Sequence, residues 1–381
     1  MKSMNFFKQE DRKPEYYLLN KDKIIASFYV NDILQTANVV KHYEELPKHY
    51  GKTEIFIRNR RAPKHRENIN ELLKISGCDD FRGFLNISHA LSLIDTFWVK
   101  PIDSDLTWDK VSLFTHPFNE VIAKTAFEGG LHGKNFSTTS PEYGTNGSFA
   151  KCWIREGEHF PGDIKMLKRG GSGFANFGLE PYSEYYASQL VSRFTNNYVN
   201  YDLRSVGGRI CSVCDIFTSE KYGFVPYAAI DTSNAYGIDT LLETADKFGI
   251  LGEIRTMIVA DAVIMNEDRH KNNFGFLVDN DTLDLVSFAP LFDHNLSLLA
   301  RTMKDDFKDL TKILENKGPR LYDDWFNVAA YVMDSRMRKI LINLLDFKFT
   351  RHSKYNLPEW RLEALEKIIH QNIEKILSIR I

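Results

Sequence analysis

The segment DAVIMNEDRHKNNFGFLVD, residues 261–279, constrains this chain more than any other stretch. Five charged or imidazole residues and three Asn fill the eight positions 266–273, between two apolar segments. Flanking apolar elements hold such a loop against a core, where polar side chains are costly unless paired. The apolar stretch before it predicts helix over Thr240–Ala262, with a break at Gly249 and Gly252. The stretch after it predicts a hairpin: Phe274–Val278, a turn at Asp279–Thr282, then Leu283–Phe288. Asp293 follows in SFAPLFDHN. Asp268, Asn273 and Asp293 therefore bring two carboxylates and one amide oxygen to the mouth of one hairpin.

Phosphoryl transfer needs that set. One carboxylate accepts or orients the proton of the attacking hydroxyl. A second carboxylate and an Asn oxygen hold Mg²⁺, a hard cation that prefers oxygen, on the phosphates. The pattern D-x-x-x-x-N followed by a later Asp is what a kinase catalytic loop supplies. The competing reading is a polar loop whose Asn and Asp make turn and capping bonds. Arg269 and Lys271 read as surface or solvated charges, and His270 as a loop-orienting or plain structural residue. A calcium loop starting at Asp279 fails on spacing, because positions 6 and 12 hold Asp284 and Pro290 instead of Gly and Glu. Those acids read as hairpin-turn residues.

A second constellation lies upstream. Strands are predicted at Ala150–Arg155 and Asp163–Lys168, and alternation puts Lys168 on the more apolar face of the second. A Lys directed inward needs a carboxylate or phosphate partner. Glu184, one turn into a helix predicted from Pro181 to Phe194, is the natural mate. Glu180 fits better as a charge at the helix N-terminus. The loop FSTTSPEYGTNGSF (136–149) offers hydroxyls and the Gly144 and Gly147 backbone to phosphates. It matches neither G-x-G-x-x-G nor the Walker pattern, and a plain hairpin turn is the alternative. Further strands are expected at Tyr198–Arg204 and Arg209–Thr218, the end of the second being a position where backbone groups could meet adenine.

The NEDRHKNNFGF run, the SFAPLFDHN segment, IKMLKRGGSG and EPYSEYYAS together resemble the HipA-like serine/threonine kinases, and within them the CtkA-related branch. The resemblance covers roughly 130–300, and LSLIDTFWVKP (91–101) extends it toward the N-terminus. It implies an α+β, two-lobed kinase-like fold with ATP in the cleft. It implies Asp268 as catalytic base, Asn273 and Asp293 as Mg²⁺ ligands, and Lys168 on the ATP phosphates with Glu184 as its helix partner. It also implies transfer to Ser or Thr of proteins, often including the kinase itself. Ser137, Ser140 and Ser148 are the candidate self-acceptors. Some family members are toxins neutralised by a DNA-binding antitoxin, so such a partner enters the expectation.

Composition narrows the alternatives. With 49 basic and 51 acidic residues the formal net charge is −2, so no global field draws the chain onto nucleic acid or an anionic membrane. Four Cys in 381 residues are no disulfide scaffold. The CSVC pair, Cys211 and Cys214, has no second pair to complete a zinc site. No apolar run of about 18 residues exists to span a bilayer, and no N-terminal signal segment is evident. The expectation is a cytoplasmic enzyme in three parts: an extension over 1–130 packed on the nucleotide lobe, a strand-rich nucleotide-binding lobe over 131–217, and a helical catalytic lobe over 218–381. Its basic run RNRRAPKHR (58–66) reads as a solvated loop before a helix, or as a site for an acidic partner. Two other readings are open: a nucleotide-binding regulatory pseudokinase, and a kinase-like enzyme acting on a small molecule.

Overall fold

In a computed structural model the protein is described over residues 12–380, apart from 135, 137, 158–161, 233–236, 310–312 and 315–316. Three antiparallel sheets and a helical region make up an α+β architecture. The first sheet has the order β3-β2-β1-β4, from β1 (Tyr16–Asn20), β2 (Lys23–Asn31), β3 (Thr36–His42) and β4 (Phe97–Pro101). A tight turn joins β1 and β2, with Lys21 in the left-handed region at φ 50°. Helices Ile69–Ser76 and Phe81–Ser88 bury Leu72, Leu73, Phe84 and Leu85 against this sheet. The first of them stops at Gly77, whose φ of 76° suits a helix C-terminus only Gly adopts cheaply.

The second sheet, order β5-β6-β8-β7, is built from β5 (Lys151–Glu156), β6 (Asp163–Arg169), β7 (Asp202–Val206) and β8 (Arg209–Asp215). The helix Glu180–Phe194 follows β6 and lies between this sheet and the helical region, in whose core Tyr186, Leu190 and Val191 are buried. The strand expected from Tyr198 starts only at Asp202. Tyr198 makes an isolated parallel bridge to Leu291, and Val199 N–H donates to the Leu291 carbonyl at 2.9 Å. Residues 198–201 are thus tied to the segment that leads to Asp293.

The third sheet is β11-β10-β9, from β9 (Tyr222–Pro226), β10 (Gly275–Asp279) and β11 (Leu285–Phe288). The Asp279 carboxylate accepts from the N–H groups of Asp281 and Thr282, the turn role expected of it. The helix Leu251–Ile264 enters the polar run and is buried on nearly every side, as befits a helix apolar all round. The break before it falls at Gly249, φ 68°, while Gly252 sits inside the helix. Trp325–Val332 and Glu359–Ser378 close the core around it, with Leu362, Leu365, Ile369, Ile373 and Ile376 buried at helical spacing.

The first sheet and the segment leading into β4 bond to the third sheet and the residues flanking its strands. Asn20 donates to the Asn280 carbonyl at 2.6 Å, Thr218 to the Leu93 carbonyl at 2.5 Å, and Phe224 N–H to the Ile94 carbonyl at 2.7 Å. All four Cys are buried free thiols. No described helix is long and apolar enough to cross a membrane.

Candidate active site

Strand register builds the first half of the site. Lys151 of β5 pairs with Lys168 of β6, and Lys168 pairs with Ser212 of β8, so the three form one cross-strand row. Lys168 is only 5% exposed. Its ammonium donates to Glu184 Oε1 at 2.7 Å and to Asp293 Oδ1 at 2.5 Å. The Ser212 hydroxyl donates to the other Glu184 oxygen. Glu184 reaches the row because the helix Glu180–Phe194 lays its first turns across the sheet. Glu180 instead accepts from Gly178 N–H at 2.8 Å and pairs with Arg301.

The electrostatics follow from burial and this pairing. Burial alone would raise the Asp293 carboxyl, but the charges of Lys168, Lys151 and Arg269 outweigh it and hold the group at about 2. Burial opposes the charge on Lys168, yet Asp293 and Glu184 together push its pKa above the ordinary value. Burial raises Glu184, with Lys168 opposing and Asp293 reinforcing. The trio thus carries a fixed cation and a fixed anion at the Asp293 end.

The second half is the polar run. Asp268 is set by its backbone: its N–H donates to Asn266 Oδ1 at 3.0 Å, and its carbonyl accepts from Asn273 Nδ2 at 3.1 Å. That leaves the Asn273 amide oxygen without a donor among the described residues. The Asp268 carboxylate is 19% exposed and meets Arg320, 58% exposed, at 2.5 Å. Lys271 pairs with Asp231 at 2.8 Å, and His270 Nδ1 accepts from Asn272 N–H at 3.2 Å.

Arg269 overturns its surface reading. It is 1% exposed, and its guanidinium forks onto Asp261 at 2.8 and 3.0 Å. One terminal nitrogen also donates to the carbonyls of Asn273 at 2.8 Å and Phe292 at 2.7 Å. A single buried side chain therefore joins the loop of Asp268 and Asn273 to the residue before Asp293. The far nitrogen lies 3.2 Å from His294 Nδ1; burial, aided by the Arg269 charge, keeps that imidazole neutral and able to accept. Asp293 itself sits at φ 60°, a left-handed conformation that Asp tolerates better than most residues. Its N–H donates to the Tyr201 hydroxyl at 3.0 Å.

Asp293 and Asn273 offer a carboxylate and an amide oxygen, a set that suits Mg²⁺, which keeps waters and phosphate oxygens as its other ligands. Among the described residues no cluster of three or more His, Cys, Asp or Glu forms a self-sufficient cage. The donor chemistry therefore fits a cation brought or completed by phosphates.

The 136–149 loop divides. Asn146, Gly147 and Ser148 are exposed, and Gly147 takes φ 96°. A Cβ on Gly147 would lie 2.3 Å from Lys151 Nζ, which donates to the Asn146 carbonyl at 2.8 Å. Gly144 is not brought to this surface. It is buried, its N–H donates to the Pro141 carbonyl, and a Cβ there would meet the Leu91 carbonyl at 2.8 Å. The phosphate contact expected of its backbone is replaced by a packing role. Ser140 is buried with its hydroxyl on Glu142, Ser148 is exposed, and Ser137 lies outside the described residues. At the expected adenine position, Ile216 N–H is already bonded to the Ile164 carbonyl at 3.0 Å.

Lys151 escaped the sequence reading because nothing in FAKCWIR marks it apart from its place opposite Lys168. Burial, reinforced by the Lys168 charge and opposed by Asp293, pushes it down to about 7. Between about pH 7 and 10 the unfolded chain therefore binds more protons at this residue, so its contribution to stability rises with pH. Lys151→Met is expected to stabilise the fold at pH 7 by about 1–3 kcal/mol, with the gain shrinking as pH rises through 10. Urea denaturation at pH 7 and 10 measures this. An equal gain at both pH values would show that Lys151 is not held near neutrality.

No family model and no curated protein matches the chain. Solved structures do. HipA of Shewanella oneidensis MR-1, in a complex of the toxin–antitoxin system HipA, HipB and its operator DNA, aligns with a TM-score of 0.53 at 12% identity, over 96% of this chain and 100% of that one. The Helicobacter pylori proinflammatory kinase CtkA aligns with a TM-score of 0.48 at 16% identity, over 64% of this chain and 97% of that one. At such identity the HipA match speaks for the fold alone: the chain has a HipA-like mixed α/β fold.

Proposed function

We propose that the chain is an ATP- and Mg²⁺-dependent kinase that transfers the γ-phosphoryl group to a Ser or Thr hydroxyl of a protein. The observation that carries this reading is the buried Lys168, held between Glu184 and Asp293, with Asp293 tied through Arg269 to the Asp268–Asn273 loop. On this reading the strand-rich region and the helical region are the two lobes of a kinase, divided near 217 and preceded by the 1–130 extension. Lys168 receives the nucleotide phosphates in place of Asp293, and Glu184 keeps the ammonium aimed. Asp293 and Asn273 hold Mg²⁺, which neutralises charge on the phosphates. Asp268 orients the acceptor hydroxyl and takes its proton once Arg320 yields. Positioning and charge neutralisation account for most of the rate. The Gly147 end of the phosphate loop covers the phosphates.

The fold likeness to HipA, solved with HipB and operator DNA, supports a DNA-binding antitoxin as partner. The near-neutral charge of this chain agrees with DNA contact made through that partner. ATP as co-substrate fits a cytoplasmic setting.

The test is γ-labelled ATP with Mg²⁺ and the purified chain, with and without cell protein. Label on Ser or Thr is the expected result. Nucleotide binding with no transfer to any acceptor would favour the regulatory pseudokinase, and label on an added metabolite alone would favour the small-molecule kinase.

A further inference from the structure

The basic run 58–66 divides: Arg58, Lys64 and His65 are exposed, whereas Arg60 and Arg66 are buried. Arg60 is buried on Asp95 at 2.8 Å and on the Ala90 and Phe97 carbonyls. Arg66 is 2% exposed and points at the phosphate loop. Its two terminal nitrogens donate to the carbonyls of Thr145 and Glu142, each at 2.8 Å. Alongside it, Ala62 N–H donates to the Tyr143 carbonyl at 2.7 Å and Glu67 N–H to the Ser148 carbonyl at 3.0 Å. The Asn146 carbonyl is taken by Lys151. Five carbonyls of this loop are therefore held from outside it, four of them by residues 62–67.

The N–H groups show the opposite pattern. Among the described residues, none of the backbone N–H groups from Thr145 to Phe149 donates a hydrogen bond. A peptide plane whose carbonyl is anchored inward turns its N–H outward. A run of such N–H groups forms a concavity that suits an anion. The loop gains a further fixed point where Gly144, lacking a Cβ, lets the Arg60 and Leu91 carbonyls approach.

We propose that Arg66 is a positioning residue for nucleotide binding: by holding the Thr145 carbonyl it turns the Asn146 N–H toward the phosphate chain of the nucleotide, and by holding the Glu142 carbonyl it fixes the base of the loop whose Gly147 and Phe149 N–H groups are turned the same way by Lys151 and Glu67. This rests on the nucleotide-binding reading above. The segment 60–67 of the N-terminal extension then belongs to the phosphate site, although no atom of it touches the nucleotide. The Glu142 side chain braces the same loop from the other side, accepting from Trp153 N–H at 2.9 Å and from the Ser140 hydroxyl.

A merely structural Arg66 would weaken all ligands alike, so the test compares ligands with and without phosphates. Binding of Mg²⁺ with non-hydrolysable ATP, and of adenosine, is measured by calorimetry on the full chain for wild type, Arg66→Lys and Arg66→Gln. Arg66→Gln is expected to lose about 10-fold in affinity for the triphosphate, the loss of roughly one charged hydrogen bond. Adenosine affinity changes less than about 2-fold. Arg66→Lys, able to reach one of the two carbonyls, falls between them and serves where the Gln variant does not fold. Equal weakening of both ligands, or unchanged triphosphate affinity in either folded variant, overturns the proposal. Failure of the wild type to bind the triphosphate at all overturns the nucleotide-site reading instead, and this proposal with it.

Discussion

Asp268→Asn is expected to keep MgATP bound and to lose phosphoryl transfer by about 10²–10⁴-fold, the range for removing a general base. The expectation rests on how Asp268 is held. Its position comes from backbone bonds with Asn266 and Asn273, and neither uses the carboxylate. Among the described residues the carboxylate meets only Arg320, a mostly exposed partner, so losing that ion pair costs at most about 1 kcal/mol. Fold and nucleotide site should therefore survive the substitution. Asp293→Asn makes the contrast: it removes the charge on which Lys168 rests, so transfer and MgATP affinity should fall together. Single-turnover label transfer, paired with calorimetric nucleotide binding, separates the two. An Asp268→Asn chain that transfers near the wild-type rate would remove Asp268 from the role of base.

The Lys168–Glu184 pair was legible because alternation along β6 set the face of Lys168 and Glu184 stood one turn into the helix that follows. Both are local rules, and the pair meets at 2.7 Å. The hairpin after the polar run was legible for the same reason. What escaped were contacts that join elements far apart in sequence. Asp293 reaches Lys168 across 125 positions, and the spacing of the motif suggested only that Asp293 lay near the hairpin mouth. Lys151 acquires meaning only through register with Lys168. Gly144 and Gly147 looked equivalent as loop glycines, yet the approach of the N-terminal segment buries one and leaves the other exposed. Arg66 and Arg269 misled for one physical reason. Arginine is mostly a surface residue, and a sequence does not show that several carbonyls will converge where its fork can reach them.

That convergence makes Arg269→Met the most disruptive single change expected away from the reacting groups. Its guanidinium satisfies both oxygens of Asp261, itself buried in the helix Leu251–Ile264. Without it Asp261 retains one side-chain donor, Asn266 Nδ2 at 3.1 Å. Removing one partner of such a pair leaves a buried charge uncompensated and costs about 3–5 kcal/mol. Stability and positioning can then be told apart with a second variant. Replacing Asp261 by Leu together with Arg269→Met removes both charges, so denaturant stability should recover by roughly half or more of the loss. Transfer should not recover, because the carbonyls of Asn273 and Phe292 still lack the donor that ties the Asp268 loop to Asp293. A deficit of at least about 10-fold in the double variant is expected, since even small misplacements of reacting groups are expensive. Urea denaturation and the label-transfer rate measure the two effects on the same protein. Transfer that returns in step with stability would reduce Arg269 to a core ion pair; transfer that stays low makes it the residue that holds the two halves of the site in register.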